Sequence, residues 1–131
     1  MTEPSCFPGF YHGDWYVYRA DFDAKPKAEL LAAGRFPVSC GEDCFWFVAF
    51  DSSTFHIRKY TAQHEEDVAK LSTEVPTGLV RSNEQFVVAY NYRMRWTEDG
   101  TTLTIGGSIS QMMSWDNRII VVVGNRVLVV D

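Results

Sequence analysis

Three cysteines, Cys6, Cys40 and Cys44, are the most reactive side chains in this sequence of 131 residues. Cys40 and Cys44 flank the turn-forming tripeptide Gly41-Glu42-Asp43, so the pair can bridge a loop or share a metal. A structural zinc takes about four ligands, and no nearby His or Cys pair completes the set, so no metal site is assigned. An odd cysteine count without a secretory signal reads as reduced thiols, and ordinary thiols beside a turn is the favoured reading. As a nucleophile Cys44 needs a remote histidine, and the adjacent Glu42 and Asp43 disfavour a thiolate.

The three histidines, His12, His56 and His64, lack a ligating spacing such as i, i+4. His64 precedes Glu65-Glu66-Asp67 and reads as solvated. His56 shares a strand face with Arg58 and Tyr60, a row that either lines a ligand cavity or faces water, with water favoured because polar faces of antiparallel strands usually meet solvent. Tyr90 and Tyr92 have acid-base chemistry, and a strand arginine, Arg93 or Arg95, has the charge to hold an anionic substrate. Strand alternation, however, sets both arginines opposite both tyrosines. Gly106-Gly107 lacks the spacing and the following helix of a phosphate loop. No catalytic residue and no cofactor is therefore assigned.

The elements that must position these side chains are mostly strands. Phe86, Val88, Tyr90, Tyr92, Met94 and Trp96 alternate with Val87, Ala89, Asn91, Arg93 and Arg95, a period of two that predicts one strand from 86 to 96 with an aromatic face. Thr97-Glu98-Asp99-Gly100 follows as a tight turn, and Thr101 to Ser110 as the return strand, curved at Gly106-Gly107. Arg118 to Val123 and Arg126 to Val130 form a hairpin about Gly124-Asn125, with glycine at the first central position as a type II′ turn prefers. Their near-continuous Val and Ile leave two readings: both faces partly covered, or simply a β-rich end.

In the first half, Trp15 to Arg19 is a strand, and Cys44 to Phe50 pairs with Thr54 to Tyr60 about Asp51-Ser52-Ser53. Asp23 to Ala33 reads as a short helix, capped by Asp23, begun near Pro26 and ended by Gly34. Thr61 to Glu74 is polar, either an outer strand or a helical turn, and Leu79 to Arg81 adds a short strand. No repeat or linker divides the chain, so a single domain, 1–131, is expected. The total, roughly eight to ten strands, predicts an all-β sandwich or barrel.

Composition limits the partners. Twelve Lys and Arg against 17 Asp and Glu give a formal charge of -5, and the cations are scattered, which argues against a nucleic-acid partner. Hydrophobic residues make up 46% and aromatics 15%, enough for a packed core. Met1 to Phe10 carries Glu3, Pro4 and Pro8 and no basic start or apolar run, so a cytoplasmic location is expected. No apolar stretch approaches the roughly 18 residues of a membrane span.

Phe10-Tyr11-His12-Gly13-Asp14-Trp15-Tyr16 places a Gly-x-Trp at the opening of the first strand. In this the chain resembles the calycin superfamily: lipocalins, intracellular fatty-acid-binding proteins and avidin-like barrels. The resemblance implies a closed antiparallel up-and-down barrel with one short helix after the first strand. Trp15 would seal one end beneath Arg126, or less favourably Arg118. It also implies a carrier of a small hydrophobic molecule, with Phe47, Tyr90, Tyr92, Met94 and Trp96 lining the pocket. The alternative is a protein-interaction or inhibitor module with a filled core, recognising its partner through loops such as Pro37 to Asp43 or His64 to Gly78.

Overall fold

The structure is a computed structural model that describes residues 5–11, 14–21 and 27–131, with side chains from 16 to 20 and from 28 onward. The chain divides into two compact units, Met1–Thr73 and Glu74–Asp131. Fourteen strands and no helix are found among the described residues. Every strand pair is antiparallel and joins strands consecutive in the chain.

The first unit holds two sheets. One is β1 (Ser5–Tyr11), β2 (Asp14–Asp21) and β3 (Lys27–Ala33), in that order. The other is β4 (Arg35–Gly41), β5 (Cys44–Asp51), β6 (Thr54–Thr61) and β7 (His64–Lys70), with β4 lying against β1 and β2. The core joins Val17 and Ala32 to Phe45, Phe47, Ala49 and Tyr60, with Phe45 stacked on Tyr60 at 4.9 Å between ring centroids. Gly34 permits the close approach of the two sheets, because a Cβ there would stand 2.4 Å from Phe47 Cδ2 and 2.6 Å from the Val48 carbonyl oxygen.

The second unit also holds two sheets. One runs β11 (Thr102–Thr104), β10 (Arg93–Trp96), β9 (Gln85–Tyr90), β8 (Gly78–Ser82). The other runs β12 (Ile109–Trp115), β13 (Arg118–Val123), β14 (Arg126–Val130), with β12 against β8. Val80, Val87, Ala89 and Met94 from the first sheet meet Ile109, Ile119 and Val121 from the second in one buried cluster.

Two-residue turns make most of these hairpins. Ser52-Ser53, Ala62-Gln63, Asn83-Glu84 and Asp116-Asn117 all have positive φ at both positions, the requirement of a type I′ turn, whose twist matches that of the flanking strands. Gly124 alone is positive in its turn, at φ 60°, as the type II′ reading requires. The hairpins about Asp51-Ser52-Ser53 and Gly124-Asn125 form where the sequence places them, and the polar 61–74 segment supplies an outer strand, β7.

Four expectations are corrected. The chain is all-β, but its strands form four separate sheets and none of them closes into a barrel. The helix expected over Asp23 to Ala33 is absent: Lys27–Ala33 is a strand on β2, while residues 23–26 lie outside those described. So short a helix is marginal alone, and Lys27–Ala33 pairs with β2 instead, where a slip of register past Leu31 lets Ala32 enter the core while Leu30 stays outward. The single strand expected from 86 to 96 is broken at Asn91-Tyr92, where Asn91 adopts φ 65° and Tyr90 pairs with Arg93. The return strand expected over 101–110 is β11 alone, and beyond Gly106-Gly107 the chain enters the next sheet at Ile109. Gly107 suits that passage, since a Cβ there would lie 2.7 Å from Val123 Cγ1.

Candidate interaction surface

The turn at Asn91-Tyr92 redistributes the residues expected to line a pocket. A two-residue turn reverses the parity of alternation, so Met94 pairs with Ala89 and Trp96 with Val87. Met94 is buried and Trp96 packs beside it in the second unit's core, on the face opposite Tyr90. Tyr90 is buried, whereas Tyr92 stands in the turn and is 54% exposed. Phe47 is buried in the core of the first unit. The five residues thus occupy two cores, a turn and the reverse face of β9, and share no one row.

The same turn corrects the facing of the arginines. Arg93 lies over the Tyr90 ring at 5.4 Å and makes an ion pair with Glu74. Arg95 points to solvent opposite Val88. Arg126, expected over the ring of Trp15, is exposed at the start of β14, and Arg118 Nε sits 3.0 Å from Asp131 Oδ1. The Trp15 side chain and all of Gly13 lie outside the described residues.

Cys40 and Cys44, favoured as free thiols, are joined by a disulfide. The register slips between Ser39 and Gly41, and Gly41 takes φ 127°, so Cys40 bulges out of the ladder. This brings the two Cα atoms to 5.1 Å, within disulfide range. The backbone of Cys6 belongs to β1, and its side chain lies outside the described residues.

Charge is concentrated on β5, β6 and β7. Arg58 Nε donates to Asp67 Oδ1 at 2.7 Å, and its Nη2 donates to Asp51 Oδ2 at 3.0 Å. Glu65 is 3.9 Å from the same guanidinium, and His56 Nδ1 is 3.8 Å from Asp67. The hydrogen bond from Arg58 and its charge hold the Asp67 carboxyl below its ordinary range, while the Asp67 hydrogen bond and the carboxylates around Arg58 raise the guanidinium. One guanidinium on β6 thus draws carboxylates from both flanking strands, β5 and β7, which makes the group a cross-strand tie. Among the described residues no group of three or more His, Cys, Asp or Glu is placed to hold a metal ion.

The apolar surface lies elsewhere. In β12–β13–β14 the pairs Met113–Ile120–Val129 and Val122–Val127 fall on one face, with Trp115 beside Arg118 at its end. The opposite face, carrying Ile119, Val121, Leu128 and Val130, packs into the core. On the outward face Trp115 is 58% and Val127 67% exposed, and Met113 and Val129 are each 51% exposed. Ile120 and Val122 between them are half-buried, so the apolar residues form one continuous patch. The signal for it was in the sequence: the runs Arg118 to Val123 and Arg126 to Val130 are apolar on both faces, where a sheet with one wet side alternates.

Comparison with known protein families and with curated proteins finds no match. Among the described residues no helix is long and apolar enough to cross a membrane.

Proposed function

We propose that the chain is a protein-interaction module whose contact surface is the outward face of the β12–β13–β14 sheet. The observation that carries this reading is the exposed row of Met113, Trp115, Val127 and Val129 on a sheet whose other face already supplies a core. Monomeric proteins rarely leave a contiguous apolar patch in water, because each such side chain forgoes the free energy of burial. Tryptophan, methionine and arginine, grouped here as Trp115, Met113 and Arg118, are also the residue types enriched at the cores of protein interfaces. Recognition through the sheet face replaces recognition through loops: residues 37–41 of the first expected loop belong to β4, and residues 64–70 of the second to β7. The carrier reading depended on a closed barrel with Tyr92 inside it, and it keeps no support from these sheets.

A photo-crosslinking residue at position 113, introduced in cells of the natural source, tests the module. A discrete protein adduct is expected from 113 and none from position 66 on the polar β7. The adduct should be lost when Trp115→Ser is added without change in the circular dichroism spectrum. Equal labelling from both positions, or none from 113, overturns the reading.

A further inference from the structure

The sheets differ in how they protect their edges. An unpaired edge strand offers a row of N–H and C=O groups to any passing strand, and folded proteins blunt such edges with charge, proline, bulges, brevity or cover. The β7 edge carries His64-Glu65-Glu66-Asp67, and β3 carries Lys27 and Glu29. Pro37 and two slips of register interrupt β4, Pro8 lies in β1, and β11 is three residues long. A bulge between Ile109 and Gln111 interrupts β12, and β8 is buried along most of its length. From Val127 to Val130, β14 has none of these devices, and among the described residues it pairs with β13 alone.

We propose that β14 is a self-association edge, through which two copies of this chain pair antiparallel about a two-fold axis at Leu128. The pairing follows from the hairpin. Val123 and Arg126 flank a two-residue turn and so form its closing hydrogen-bonded pair, and Val121–Leu128 and Ile119–Val130 repeat that type at every second position. The N–H and C=O groups of Val127 and Val129 therefore point away from β13, toward the open edge. In an antiparallel pair centred on Leu128, Val127 stands opposite Val129 of the second copy, and each such pair exchanges two hydrogen bonds. The outward groups of one strand thus meet the outward groups of the other in register.

Charge favours the same partner and the same direction. Arg126 begins the strand and Asp131 follows it, so antiparallel copies set the basic end of one beside the acidic end of the other, whereas parallel copies would join like charges. Side chains agree as well. The two-fold axis runs perpendicular to the sheet, so the Met113–Ile120–Val129 row of each copy continues onto the other, giving a six-stranded apolar face. This inference rests on the reading of that face as an interaction surface and names a second copy as a partner at its edge.

Sedimentation velocity of the whole chain across a wide concentration range tests it. A concentration-dependent dimer is expected, with the exchange of the Val127 and Val129 amides slowing as the dimer fills. Val129→Pro removes an N–H that bonds nothing within one copy, and edge strands tolerate proline at such a position. It should leave the circular dichroism spectrum intact and abolish the dimer at concentrations where the unaltered chain is mostly dimeric. Val127→Lys should do the same by charge repulsion, and it decides the matter if the proline variant unfolds, while Val127→Thr should keep the dimer. A chain that stays monomeric at every concentration, or a dimer unchanged by Val127→Lys, overturns the self-association. Persistence of the position-113 adduct in that case leaves the interaction surface standing without its edge, whereas loss of the adduct with the dimer retained removes the surface reading alone.

Discussion

Phe47 shows how far a residue's type reaches before its surroundings are known. Its apolar side chain on an alternating strand is legible from sequence. Whether it faces a cavity or a packed core depends on the second sheet, which only tertiary structure supplies. Here it is buried beside Phe45, with ring centroids 5.4 Å apart. Phe47→Ala is expected to cost about 3–5 kcal/mol, as other large-to-small aromatic core changes do, measured as a lower urea midpoint. Gly34→Ala should cost about 1–3 kcal/mol in the same assay, because the added methyl meets the Phe47 ring and the Val48 carbonyl, and the carbonyl is backbone. Asp67 carries a pH dependence. Its carboxyl titrates below the ordinary aspartate range in the folded chain, so its contribution is complete above that range and is lost as pH falls through the lower, folded value. Asp67→Asn should therefore differ from the unaltered chain in denaturant midpoint at neutral pH, and the gap should close as both are acidified.

At the scale of elements, turn chemistry decided what was legible. Asp51-Ser52-Ser53, Asp99-Gly100 and Gly124-Asn125 announce hairpins by residue type, and each forms one. Asn91-Tyr92 does not, because the apolar alternation runs on through it and half the turn is an aromatic residue typical of strands. That one missed turn reversed the facing of Met94, Trp96 and the arginines. The expected helix failed for a related reason: its capping residues were genuine local signals, but Lys27–Ala33 gains a ladder on β2, interrupted only at Leu31. The disulfide escaped because counting cysteines says nothing of a bulge that points Cys40 at Cys44. With a sequence separation of only 4, the bridge constrains a short loop, so reduction should lower stability by about 2 kcal/mol or less. Urea unfolding with and without reductant measures this, and a Cys40→Ser, Cys44→Ser double variant should show no response to reductant beyond any due to Cys6.

For the whole molecule, the all-β class was legible because strands and tight turns recur along most of the chain, and closure was not. A barrel is a statement about which strands bond at the ends of a sheet, and no local pattern of hydrophobic residues encodes that. The motif that suggested closure, Gly13-x-Trp15, is also too short to carry a topology. The strand order has its own consequence for how the protein is made. Since every hydrogen-bonded neighbour in each sheet is also the next strand in the chain, no strand must wait for a distant segment before it can pair. Non-local pairing is what slows most all-β proteins, through the entropy of closing long loops. This chain can instead acquire its sheets one after another as it leaves the ribosome, the growing end adding to a meander already begun. Pulse proteolysis of stalled nascent chains should find resistance rising in steps, first once β7 has emerged and again once β14 has, rather than in a single step at the end of synthesis.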